Sequence, residues 1–200
     1  TQQFASIAER SQKIVQDFLA QQQGDGPPDA DPLNIGSAFM ELTQKMMNDP
    51  AHLWELQAQF WSDYVDLWSG ATRRLVGGEV QNPKVEPEPG DRRFKDDAWT
   101  ENAAFEYIKQ SYLLASRYVQ KSVAETEGLD DHTAHKVAFF TKQWVDAMAP
   151  TNFAATNPEV LRATLDSKGE NLVNGLNNLL TDLERGKGKL AIRMTDDNKF

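Results

Sequence analysis

The chain is predicted to be all-α, a helical N-terminal arm followed by a compact helical domain. Three observations lead there. Apolar residues recur at three- and four-residue steps in successive windows. Glycine, proline or a capping side chain closes nearly every window. No stretch alternates apolar and polar residues as a half-buried strand does.

In chain order, Phe4, Ile7, Ser11, Ile14 with Val15, and Phe18 share one face, which predicts a helix over 2–22. Gly24 to Pro32 resists helix continuation and reads as a flexible linker. Ile35, Phe39, Leu42 and Met46 predict a shorter helix over 33–47. Asp49 then caps a long helix with Pro50 in its first turn, running to about Val76 and stopped by Gly77-Gly78. The proline-rich stretch from Val80 to Gly90 is an extended spacer and the clearest internal boundary. It separates an arm, 1–90, from a domain, 91–200.

Beyond the spacer, Phe105, Ile108, Tyr112, Ala115 and Val119 mark the buried stripe of a helix from Trp99 to about Val123. Gly128 breaks the chain. Val137, Phe140, Trp144 and Met148 share one side of a helix over 131–148, which Pro150 stops. Asn157 caps the next helix, with Pro158 in its first turn and Glu159 near the positive end of its dipole. The last helix, 170–185, aligns Leu172, Leu176, Leu179 and Leu183 before Gly186.

Composition narrows the function. The net charge is −9, and an acidic surface repels phosphate, which argues against nucleic acid as a partner. The arm holds most of that charge, with six Lys/Arg against thirteen Asp/Glu over residues 1–90, against fifteen and seventeen over 91–200. There is no cysteine, so disulfides, thiolate metal sites and thiol catalysis within these residues are excluded. A cytoplasmic protein fits. No apolar run is long enough to span a bilayer, and no signal peptide opens the chain. It begins at Thr1 and ends at Asp196-Asp197-Asn198-Lys199-Phe200, which we read as a piece of something longer.

Candidate functional residues fall in three groups. Trp54, Trp61 and Trp68 stand seven residues apart with Gln57 and Tyr64 between them, and Leu53, Leu56, Phe60 and Leu67 form the neighbouring row. The tryptophans are either intramolecular core or a docking face for a partner helix, a second subunit or an apolar surface. Phe4, Ile7, Ile14 and Phe18 make a smaller face suited to a two-helix contact or a coat contact. Asp91, Arg92 and Arg93 could hold a phosphate or form ion pairs that anchor Phe94. His132 and His135, three apart beside Asp130 and Asp131, lack a third ligand, and His52 has no acid nearby in sequence. No Gly-x-Ser-x-Gly elbow or phosphate loop occurs, so no catalytic residue, metal or cofactor is assigned.

Asp91-Arg92-Arg93-Phe94, Trp99 and Lys109-Gln110-Ser111-Tyr112-Leu113-Leu114 carry a resemblance. So do Lys142 through Pro150 around Trp144 and Asp146, Ala155-Thr156-Asn157-Pro158-Glu159, and Asp182 through Gly186. Together they resemble the N-terminal region of polyhydroxyalkanoate synthases, and the Lys109–Leu114 string looks like the class I, poly-3-hydroxybutyrate type. The resemblance implies an α/β-hydrolase catalytic domain following this region, with a cysteine nucleophile and an Asp–His pair. That domain polymerises 3-hydroxyacyl-CoA into storage polyester with release of CoA. It also implies a non-catalytic role here, supporting the catalytic domain, dimerisation, and attachment to the polyester granule surface or granule-associated proteins. Two readings compete. A stand-alone, phasin-like granule-coat protein would lack the Asp91 and Trp144 blocks. A self-contained hydrolase would need central strands and a nucleophile elbow.

Overall fold

The computed structural model describes residues 6–7, 9–14, 16, 31–78 and 85–186. Among them every regular element is a helix, as the periodicity predicts. We label the helical residues 6–7, 9–14 and 16 as α1. Then follow α2 (Ile35–Asn48), α3 (Pro50–Leu75), α4 (Ala98–Glu101), α5 (Ala103–Ala124), α6 (Asp131–Ala147), a 3₁₀ turn (Pro150–Asn152), α7 (Pro158–Asp166) and α8 (Glu170–Arg185). The chain forms two compact units, residues 31–161 and residues 1–30 with 162–200. Phe4 and Phe18 and the linker from Gly24 to Ala30 lie outside the described residues.

The caps read from sequence form as hydrogen bonds. Asp49 Oδ1 accepts from the His52 N–H at 3.0 Å, and Asn157 Oδ1 accepts from the Glu159 N–H at 3.0 Å. One predicted helix splits. Asn102, extended at φ −93° and ψ 120°, accepts with its side chain from Ala104 N–H (2.9 Å) and Phe105 N–H (3.3 Å). The asparagine amide outcompetes the helical backbone there, so α4 ends and α5 starts afresh.

In the 31–161 unit, α5 is the central helix, packed by α3, α4 and α6, and α2 packs against α6 and α3. The helices on both sides of the proline-rich spacer therefore share one core. That core has two clusters strung along α5. One holds Val85, Phe94, Trp99, Leu113 and Leu114, flanked by Phe60, Tyr64 and Leu67 of α3. The other holds Ala38, Leu42, Val123 and Val137. With partners on several sides, α5 buries more than the single stripe expected. Gln110, Leu113 and Leu114 are buried, while Phe105, Ile108 and Tyr112 are half-buried.

Gln110 is buried because it does backbone work. Its Nε2 donates to Val85 O and its Oε1 accepts from Val85 N–H, both at 3.0 Å. Val85 thus gains from a side chain the two backbone bonds that a neighbouring strand would supply. Gln110→Leu should cost about 1–3 kcal/mol by stranding both Val85 groups. Faster amide exchange at Val85, with α6 unaffected, would verify the local origin.

The stripe of α6 differs from expectation. Val137, Thr141 and Val145 face inward, whereas Trp144 and Met148 are exposed. A four-residue stagger rotates the inward face toward α5 and α2, and the larger apolar side chains are left on the adjacent side. In the other unit, Arg10 of α1 binds Glu184 of α8 at 2.7 and 2.9 Å and Thr181 at 3.0 Å. That contact draws Ile7 and Leu180 inside and leaves Leu172, Leu176 and Leu179 exposed.

Candidate functional site

The Asp91–Arg93 block is a three-element clasp. The Arg93 guanidinium donates to both Asp91 oxygens at 2.9 Å, and its Nη1 donates to Asp146 Oδ1 of α6 and Tyr112 Oη of α5, each at 2.9 Å. Tyr112 Oη in turn donates to Val145 O at 3.1 Å. Lys142 closes the set, its Nζ 2.6 Å from Asp146 Oδ2. The guanidinium lies 5.8 and 5.6 Å from the ring centroids of Phe94 and Tyr112, where cation–π attraction adds to the ion pairs. The Arg93 hydrogen bonds hold the Asp91 carboxyl below its ordinary range, and the Asp91 hydrogen bonds raise the Arg93 pKa against the opposing effect of burial.

Beside the clasp, Phe94 meets Trp99 edge-on at 5.1 Å and Trp99 meets Phe105 at 5.8 Å. Arg92 is exposed. The residues after α6 are tied down as well. Asn152 Nδ2 donates to Asp146 O (3.0 Å) and Ala147 O (3.1 Å), and Asn157 Nδ2 donates to Thr151 O (2.8 Å), over a fully buried Pro158. Within the 31–161 unit, Asp91, Arg93, Phe94, Trp99, Tyr112, Asp146, Asn157 and Pro158 thus converge on one structural knot, whereas Arg92 and Trp144 are exposed and the Asp182–Gly186 string belongs to the other unit. Gln110 and Lys142 were read from sequence only as members of the family strings, with no role of their own. For the first the sequence carries no local signal, since its helix-face neighbours include Glu106 and Arg117 as well as Leu113 and Leu114.

The tryptophan helix is two-faced. Leu56 is buried, and Phe60, Tyr64 and Leu67 pack on α5, with Tyr64 Oη 2.9 Å from Tyr107 Oη. Trp54, Trp61 and Trp68 point the other way, 70, 54 and 59% exposed. One row satisfies the core, so the second apolar row is left on the surface. Ile7 is buried and Ile14 half-buried within the α1–α8 unit.

The histidines take local roles. His135 Nδ1 lies 2.6 Å from Asp131 O, and the His132 N–H donates to the Asp130 cap at 3.0 Å. Among the described residues no three His, Cys, Asp or Glu side chains cluster as metal ligands. His52 meets an acid that sequence distance concealed, Glu125 at 3.3 Å across an open groove of about 950 Å³. No described helix is long and apolar enough to cross a membrane.

Residues 90–200, which begin at the clasp, match the family model described as poly-beta-hydroxybutyrate polymerase (PhaC) N-terminus. The chain belongs to this family. Its relatives include the poly(3-hydroxyalkanoate) polymerase subunit PhaC of Rhizobium meliloti, 35% identical over 199 residues, a match covering 98% of this chain and 32% of that protein. The poly(3-hydroxyalkanoate) polymerase of Methylorubrum extorquens is 40% identical over 159 residues, covering 80% of this chain and 26% of that protein. The Cupriavidus necator polymerase subunit PhaC is 36% identical over 151 residues, covering 76% and 24%. The chain therefore spans about a third or less of the polymerases it matches. No solved structure matches it. The PhaC N-terminus match includes the whole Arg93 clasp and the rings of Phe94, Trp99 and Phe105, and it leaves Val85, α2 and α3 outside its bounds.

Proposed function

We propose that this chain is the non-catalytic N-terminal region of a polyhydroxyalkanoate polymerase, a helical support for the catalytic part that converts 3-hydroxyacyl-CoA to polyester. The observation that carries this is the match of residues 90–200 to the polymerase N-terminus, in a chain covering about a third of the Rhizobium meliloti relative. The absence of cysteine from the sequence agrees with it, since the growing polyester of this enzyme class needs a thiolate acceptor. In this reading the outward tryptophan row of α3 is an interaction face through which the polymerase self-associates or meets the granule, and the α1 face contributes granule or coat contacts.

Purified 1–200 is expected to release no CoA from 3-hydroxybutyryl-CoA. The polymerase lacking these residues should keep its thioester chemistry while losing self-association or granule binding. CoA release by 1–200 alone would overturn the assignment and favour a self-contained hydrolase. A granule coat independent of any polymerase would be favoured if the shortened polymerase behaved as the intact one.

A further inference from the structure

The outward face of α3 carries more pattern than three tryptophans. Trp54, Ala58, Trp61, Val65, Trp68 and Thr72 follow one another at alternating steps of four and three, and all six are exposed. That is the spacing of a two-helix seam. Large residues hold one of its two core positions, and Ala, Val and Thr hold the other. The opposite side of the same helix is already packed against α5, so the seam is built in addition to the core.

We propose that this seam pairs with the same seam of a second copy, antiparallel about a two-fold axis level with Asp63. The inference rests on reading the face as an interaction site and names its occupant. In an antiparallel pair, each layer joins one core position with the other. Trp54 then faces Thr72, Trp61 faces Val65 and Trp68 faces Ala58 of the second copy, so every indole meets a small residue. A parallel pair would stack indole on indole and leave the small layers empty. The two-fold makes the contact isologous and closed.

Charge agrees. The flanking row that would meet its own counterpart is Glu55, Ser62 and Ser69. In this register Glu55 falls beside Ser69 and Ala71 of the second copy, and no like charges meet along this row. Area is adequate too. The three indoles, 54–70% exposed, offer roughly 350 Å² per copy, and the intervening small residues carry the total toward the ~1,200 Å² at which specific interfaces begin.

The absence of cysteine makes the test clean, because each substitution introduces a single thiol. Sedimentation of 1–200 should show a dimer in the micromolar range. Ser62→Cys should link to its own copy on oxidation, while Thr72→Cys, about 27 Å from its counterpart in this register, should not. Trp61→Val should weaken dimerisation at least tenfold, and Trp61→Val with Val65→Trp should restore it. Linkage of Thr72→Cys in place of Ser62→Cys would overturn the antiparallel pairing. A monomer that binds poly(3-hydroxybutyrate) particles through Trp61 would overturn the second copy as occupant and leave the interaction face standing. Loss of helicity in Trp61→Ala would overturn both readings.

Discussion

Replacing Trp99 with alanine should destabilise the 31–161 unit by about 3–5 kcal/mol, the cost of emptying a large aromatic site in a packed core. Trp99 is 1% exposed, the largest of the fully buried side chains among the described residues. Its indole is held edge-on between Phe94 and Phe105, and it sits on the one-turn helix α4, which Arg74 Nη2 also ties by donating to Thr100 O and Glu101 O. Removing it therefore loosens α4 as well as opening a cavity. Trp99→Phe keeps an aromatic edge for Phe94 and should lose markedly less. Urea unfolding followed by circular dichroism measures both. A loss under about 1 kcal/mol for the alanine variant would mean that the cluster does not anchor the segment between the spacer and α5.

The Arg93 clasp should give the second largest effect. Arg93→Ala leaves Asp91, whose side chain is 9% exposed, beside Asp146 without its cation. The expected cost is about 1–3 kcal/mol, below that of breaking a fully buried pair because Arg93 keeps a third of its exposure. The pH dependence identifies the source. Asp91 is held below its ordinary carboxyl range chiefly by the Arg93 hydrogen bonds. Its contribution is thus complete above the unfolded value near pH ~4 and is lost as pH falls through the folded one. The stability gap between wild type and Arg93→Ala should narrow on acidification below about pH 4. A gap constant from neutral to strongly acid pH would assign the loss to packing against Phe94 and Tyr112.

Local order was legible without the structure. Asp49-Pro50 and Asn157-Pro158 cap their helices as read, since a cap uses a side chain and amides only two or three residues away. Gly77, Gly128 and Gly169 adopt positive φ at breaks placed by composition. The family was also legible, because its strings are contiguous. Less legible were features that depend on which helix lies against which. Periodicity gave α6 an apolar side of Val137, Phe140, Trp144 and Met148, but the chain turns Val137 inward together with Thr141 and Val145. Gln110 looked like any polar residue until Val85 crossed α5, and His52 looked isolated until Glu125 arrived from the end of α5.

The sequence by itself determined most of the helices, the Asp49 and Asn157 caps and the family, because those rest on neighbours along the chain and on contiguous strings. Only the tertiary structure decided that Leu56, Phe60 and Leu67 face the core while Trp54, Trp61 and Trp68 face outward. Two apolar rows on one helix are equivalent until a neighbour covers one of them, and α5 covers the leucine and phenylalanine row.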